Sequence, residues 1–420
     1  GKNLFVNGLT MENILAVVPK DSKYIGVSLA FSHEWPLAKR VCLALKKAFP
    51  EAVLFVGGEH ATAMAEFCFS DCSAIDYCVL GEAEETVVEL LEALEAGRPV
   101  DAVAGRALRD GRSGTIRTPS RQRIRAIDDI VPPAWDLVPL ENYLSRGYSF
   151  GVNIGRSIPI IATRGCPYQC TFCSNPQMWT TRWLARKPAE VVAEMAEYVR
   201  LYRVENFDFY DLTVVVKRDW IIDFCRLLIE SKLGITWQLP SGTRSEALDA
   251  EVTGLMFRAG CRNMSYAPES GSPETLEIIK KKVKPERMLE SVKTSIANGL
   301  NVKANIIVGF PRERIKNILE TYAFIIRMAA AGLHDLSVWT FSPYPGSELF
   351  DDLRREGRIP EFTDAYFTSL LSYSDLKNVR SWNHRFSDRQ LKILRLGGLL
   401  MFYAASYVFR PLRLLRNIRN

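Results

Sequence analysis

With 420 residues, 47% of them hydrophobic and 24% charged, the chain has the composition of a soluble globular protein large enough for two cored domains. Its net charge of +6 is uneven: from Arg385 onward, Arg385, Arg389, Lys392, Arg395, Arg410, Arg413, Arg416 and Arg419 face Asp388 alone, giving +7 there and about −1 elsewhere, which excludes a nucleic-acid-binding body. No secretory signal and no uncharged run approaching the ~20 residues of a membrane span is seen, so a cytoplasmic location is expected.

The first hundred residues read as alternating strands and helices. Strands are expected over 23–29, 52–58 and 75–81, and helices over 36–48 and 83–96. This alternation predicts a parallel sheet with right-handed crossovers, whose ligands sit outside the carboxyl ends of the strands. Those ends are Ser28, the loop Gly57-Gly58-Glu59-His60-Ala61, and Gly81-Glu82. Two plainer readings stand beside a ligand site: the paired glycines as a tight turn, and His60 as a loop histidine without a ligand. Cys68, Cys72 and Cys78 match no cluster spacing and are expected in the core. A sheet of this class opens with two further elements, so this domain is expected to be incomplete at its N-terminus. The stretch 105–155, rich in Arg, Pro and turn residues, reads as a connector.

Next comes Cys166-Pro-Tyr-Gln-Cys170-Thr-Phe-Cys173, a C-x3-C-x2-C run directly after the apolar stretch 158–161. Three thiolates on one tight loop can hold three corners of a cubane iron-sulfur cluster, and no fourth cysteine is near in sequence. One iron is then open to a substrate or cofactor, as the open position of a catalytic zinc site is. The alternative, a zinc knuckle, needs a fourth Cys or His close by, and His60 and His334 are remote.

After the cysteines, strands are expected over 158–163, 206–212, 235–239, 263–267, 303–308 and 336–341, with helices over 188–202, 220–233, 249–259, 285–298 and 318–331. Six such repeats suit a partial β/α barrel, in which reacting groups gather where strands finish. The second strand finishes at Asp211, suited to a cationic amino group, and the third at Arg244, whose planar fork suits a carboxylate. Glu269 ends the fourth and can accept from paired hydroxyls. Gly309, after Val308, lets the backbone approach a flat ring. Taken singly, each also reads as a paired or solvated charge, or as compensation for a helix N-terminus.

These residues carry a resemblance. The cysteine loop, with Phe172 before its last cysteine, is similar to the signature of the radical S-adenosylmethionine (SAM) enzymes, and so are the strand-end acid Asp211, Arg244, the Glu269-Ser270-Gly-Ser turn, the Val308-Gly309-Phe-Pro turn and Ser342-Pro-Tyr-Pro-Gly-Ser347. The resemblance implies a [4Fe-4S] cluster on Cys166, Cys170 and Cys173, whose open iron binds SAM and whose electron cleaves it to a 5'-deoxyadenosyl radical. It implies SAM contacts from Phe172, Asp211, Arg244, Glu269, Ser270, Val308 and Gly309. Two departures are a leucine after Asp211, where a second acid is common, and Arg312 in place of a glycine before Glu313. The region before it resembles the cobalamin-binding domain that precedes many radical SAM cores, which implies a corrin site at Ser28, Gly57, Gly58, His60, Gly81 and Glu82. An Asp-x-His-x-x-Gly run is missing, so no histidine of that motif is expected on the cobalt.

The expected architecture is α/β: a partial (β/α)6 TIM-like radical SAM barrel (155–356), preceded by a truncated doubly wound Rossmann-like cobalamin-binding domain (1–104) and a linker (105–154), and followed by a helical C-terminal region (357–420). The apolar run 396–409 is too short to span a bilayer, and arginines at 410, 413, 416 and 419 recur behind it with Leu412, Leu415 and Ile418 between. Two readings stay open: an interfacial helix on the anionic inner membrane face, or a helix packed on the barrel with a solvated basic face. The expected activity is hydrogen abstraction from an unactivated carbon of a small or lipid-like substrate, with methyl transfer from cobalamin and an external flavodoxin- or ferredoxin-type electron donor. The rivals are cyclisation, rearrangement or oxidation without methylation, and, in another class, an electron-transfer or zinc-binding interaction protein. A methylthiotransferase acting on RNA is disfavoured, because no basic strand-rich domain follows the barrel.

Overall fold

The structure is a computed structural model and describes residues 8–111, 114–359, 361–373 and 375–413. Two compact units form: one from the chain up to Ile124, Cys173–Trp179 and Pro343–Leu371, the other from Arg125–Phe172, Thr180–Ser342 and the chain from Ser372 on.

In chain order the first unit contains α1 (Met11–Val17), β1 (Tyr24–Ser28), α2 (Trp35–Ala48), β2 (Val53–Gly57), α3 (Glu59–Asp71), β3 (Tyr77–Val79), α4 (Glu84–Glu95), β4 (Arg106–Asp110) and β5 (Gly114–Arg117). β1, β2 and β3 pair in parallel in that order; β4 and β5 then extend the sheet antiparallel. Leu54 and Val56 alternate inward along β2 and meet Ala61, Ala65 and Cys68 in the core, the period-2 and period-3.6 patterns that make strand and helix. Cys42, Cys68, Cys72 and Cys78 are buried, so the expected core role holds.

Two elements differ from expectation. The loop after the paired glycines is the first turn of α3, and the connector carries β4 and β5. Three of the five residues of Arg-Ala-Leu-Arg-Asp are charged, and Arg106 is buried while Arg109 and Asp110 are exposed, so hydrophobicity alone hides this short strand.

The chain continues with α5 (Glu141–Leu144), β6 (Ser157–Ile160), β7 (Thr163–Arg164), α6 (Asn175–Trp179), β8 (Leu184–Ala185), α7 (Pro188–Tyr202), β9 (Asn206–Phe209), α8 (Arg218–Ser231), β10 (Thr236–Thr243), α9 (Ala250–Arg258), β11 (Cys261–Glu269), α10 (Pro273–Ile278), α11 (Pro285–Ala297), β12 (Asn301–Val308), α12 (Ile315–Ala331) and β13 (Asp335–Thr340). β6, β9, β10, β11, β12 and β13 form one all-parallel sheet in that order, which is the partial six-stranded barrel. Its core runs through Ile158, Phe207, Trp237, Met264, Ala304 and Val338.

Last come α13 (Glu348–Arg355), α14 (Asp364–Ser369) and α15 (Asp388–Phe409). The apolar tail is therefore the end of a 22-residue helix, begun by a capping box of Ser387 and Gln390. Leu391, Gly398 and Phe402 turn α15 toward α12 and β13, and buried Arg395 donates to the Val338 and Ser372 carbonyls at 2.8 and 3.2 Å. Arg413 donates to the carbonyls of Gly332 and Leu333, where α12 ends. Leu415, Arg416, Ile418 and Arg419 lie outside the described residues.

Candidate active site

In the first unit the carboxyl ends of β1 and β2 lie side by side, Ser28 opposite Gly57. Gly58 has φ +112°, and a Cβ there would fall 2.7 Å from the Leu29 carbonyl oxygen, so no other residue fits between this strand end and α3. Thr62, not singled out in the sequence, ties two of the turns: its hydroxyl donates to Gly58 O at 2.8 Å and accepts from Gly81 N at 3.0 Å. His60 is 1% exposed, its Nδ1 2.9 Å from Ser32 Oγ and its ring packed on Trp35 and Phe367. Burial pushes its pKa down to about 3, so the ring is neutral, and Nε2 has no partner among the described residues. Glu82 is engaged: Arg123 pairs with it at 3.2 Å and Ile124 N donates to it at 3.1 Å.

In the barrel unit the chain reaches the cysteine loop through a fixed corner. Asp211 accepts from Ala162 N at 3.1 Å, from Thr163 Oγ1 at 2.6 Å and from Thr163 N. Burial raises its pKa to about 6 against these hydrogen bonds. Its oxygens hold the start of the loop, at the strand end where the amine contact is expected. Inside the loop Thr171 N donates to Ile279 O at 3.0 Å, and the Phe172 ring lies 5.7 Å from that of Phe310.

Arg244 is buried, and its guanidinium stacks 3.6 Å over the ring of Tyr168, the residue midway between Cys166 and Cys170. Nη2 donates to Glu246 at 2.6 Å and to the Lys282 carbonyl, while Nη1 is buried without a partner among the described residues. Glu269 has φ +64°, a left-handed conformation uncommon outside glycine, and forms a buried pair with Lys281 Nζ at 2.9 Å. Burial alone lowers the pKa of Lys281, but the Glu269 carboxylate and negative charge on the Cys170 sulfur hold it above the ordinary value. Lys281 in turn favours the thiolates of Cys166 and Cys170, which burial pushes the other way.

Gly309, at φ +86°, lies where a Cβ would meet Leu391 at 2.6 Å, and its N–H donates to Glu313 at 2.6 Å. Burial raises the pKa of Glu313 to about 8. Ser270 is 2.9 Å from Thr321 Oγ1, which braces the turn after Glu269, and Val308 closes β12 in the core. Tyr168, Lys281 and Glu313 were not legible as site residues, because each gains its meaning from a partner distant in sequence.

The residues fit the implied groups. Cys166, Cys170 and Cys173 form no disulfide and are half-buried, whereas the other six cysteines are buried. Among the described residues no three His, Cys, Asp or Glu side chains stand close enough to share one metal ion. A cubane asks for something different, one thiolate on each of three separate irons. The orphaned Nη1 of Arg244 and the Lys281 ammonium offer positive charge beside the loop, as an anionic cofactor group requires.

Residues 160–325 match the radical SAM superfamily and residues 9–91 match the B12 binding domain. An uncharacterized methyltransferase of Pyrococcus horikoshii is 28% identical over 413 residues, covering 98% of this chain and 84% of that protein. The anaerobic magnesium-protoporphyrin IX monomethyl ester cyclase of Rubrivivax gelatinosus is 28% identical over 80% of this chain and 60% of its own length. Among solved structures, the radical SAM methyltransferase TsrM from Kitasatospora setae, with cobalamin and a [4Fe-4S] cluster bound, matches at TM-score 0.71 and 16% identity over 94% of this chain and 81% of that one. The chain thus carries a B12-binding match followed by a radical SAM match, the second on a barrel whose first strand ends at the three-cysteine loop, and its fold is that of the Kitasatospora enzyme.

Proposed function

We propose that the protein methylates an unactivated carbon of a small molecule. The observation that carries this reading is the half-exposed three-thiol loop, set beside Lys281 and the unpartnered nitrogen of Arg244, in a chain that also carries a B12-binding domain. When bound, the cluster with SAM supplies hydrogen-atom abstraction and cobalamin supplies the methyl group.

The chain's own groups bind and orient. Arg244 Nη1 and Lys281 take the carboxylate of SAM, the first through a stacked guanidinium that cannot swing away. Glu269, aimed by its left-handed backbone and held by Lys281, accepts from the ribose hydroxyls, with Ser270 bracing the turn behind it. The Val308-Gly309 turn, packed on Leu391, would meet the adenine, and Phe172, packed on Phe310, screens the loop from water. Asp211 acts through the corner it fixes. In the first unit, Gly58 lets α3 start against the chain that leaves β1, Gly57, Ser28 and Gly81 would line the approach of the corrin, Glu82 holds the Gly81 turn through Arg123, and His60 would offer Nε2 from the interior. The reducing electron comes from a flavodoxin- or ferredoxin-type protein.

The test is an anaerobic assay of reconstituted protein with SAM, reductant, methylcobalamin and candidate small molecules. Formation of both 5'-deoxyadenosine and S-adenosylhomocysteine, abolished when all three cysteines become alanine, is the expected result. 5'-Deoxyadenosine alone, with an unmethylated product, supports the cyclisation or oxidation reading that the Rubrivivax relative brings to mind.

A further inference from the structure

α15 buries one side and leaves the other apolar in solvent. Leu391, Gly398, Phe402 and Ser406 face inward at helical spacing. On the opposite side Ile393 is 59% exposed, Leu400 70% and Val408 76%, and past the end of the helix Leu412 is exposed as well. A helix packed on a soluble barrel ordinarily turns charged or polar residues to this side. From Ile393 to Val408 the stripe runs about 22 Å. Cations flank it at both ends: Arg385 and Arg389 are exposed before it, Arg410 is exposed after it, and Asp388 is the one acid from residue 385 onward.

The charges choose among possible occupants. A second copy seated on this face would bring flanking cations against flanking cations, whether the two helices ran parallel or antiparallel, so self-association is opposed. An anionic bilayer complements both features at once, with apolar side chains below the headgroups and guanidinium groups among them. Spanning is ruled out by the inner side: Arg395 is locked to the Val338 and Ser372 carbonyls, and Tyr403 OH donates to Asp335 at 2.8 Å, so the helix stays on its barrel.

We propose that the outward face of α15 seats the protein on the surface of an anionic membrane. The inference rests on the helix surface alone and is independent of the reaction catalysed.

The test is co-sedimentation of the reconstituted holoprotein with vesicles of phosphatidylcholine, with or without phosphatidylglycerol. Binding to the anionic vesicles only is expected, with loss in high salt. Leu400→Gln with Val408→Gln is expected to weaken it about tenfold or more, because two aliphatic side chains no longer leave water. Arg385→Gln with Arg389→Gln is expected to weaken it several-fold. All four positions are exposed, so melting temperatures stay at the wild-type value. Absence of sedimentation overturns the proposal, as does undiminished binding of the Leu400→Gln, Val408→Gln variant, or a dimer in light scattering that the same variant dissolves.

Discussion

Glu269→Gln tests whether the buried pair at the end of β11 holds the barrel mouth together. Glu269 and Lys281 sit 2.9 Å apart, each side chain 8% exposed. Removing the carboxylate charge leaves an ammonium in low dielectric without its counter-ion, which costs about 3–5 kcal/mol. For a domain of roughly 250 residues, at about 2 °C per kcal/mol, the melting temperature falls by roughly 6–10 °C. Lys281→Met added to Glu269→Gln removes the stranded charge, and the double variant melts near the wild type, because a buried ion pair exchanged as a unit is close to neutral. The left-handed backbone at Glu269 is common to all three proteins, so it does not confound the comparison. Differential scanning calorimetry of the three decides the matter. A single variant within about 1 °C of wild type, or a double variant as unstable as the single, refutes the reasoning.

Gly309→Ala places a methyl 2.6 Å from Leu391 at φ +86°, so a loss of about 2–3 kcal/mol is expected in urea melts, with weaker SAM binding by calorimetry. The raised pKa of Glu313 fixes a pH dependence: between its ordinary 4.5 and about 8 the folded chain keeps a proton that the unfolded chain has lost, so this group's contribution to stability falls as pH rises. At roughly 1.4 kcal/mol per pH step, Glu313→Gln gains on wild type by about 3 kcal/mol between pH 5 and 7.5, and equal melting-temperature differences at the two pH values would count against it. Tyr168→Leu removes the platform under Arg244, so iron content after reconstitution and the cluster's spectrum change, while Tyr168→Phe, which keeps the ring, stays at wild type.

Much of this architecture is written locally. The cysteine spacing, the six repeats and the residue types at strand ends are all short-range patterns, and the barrel strands and helices fall where periodicity puts them. The roles of the charges are not local. Asp211 has the right type in the right place, yet Ala162 and Thr163, 49 and 48 positions back, take its oxygens; Glu82 is likewise taken by Arg123, 41 positions on. Lys281 sits in a run of three lysines, and only its pairing with Glu269 distinguishes it from its neighbours. His60 follows a glycine pair and so reads as loop, but the helix that starts at Glu59 carries its ring inside. A one-sequence reading sees which groups are available. It cannot see which are already spoken for.

The corner that precedes the cysteines bears on any attempt to transplant them. The stretch from Ala162 to Ser174 looks self-contained as a sequence cassette, but its first two residues are moored to a carboxylate carried just past the end of β9. Grafted into another barrel without an acid at that point, the cassette would arrive with its leading amides unsatisfied, free to take a different path across the strand ends. A portable version of this loop is therefore a discontinuous one, thirteen residues and one distant aspartate moved together.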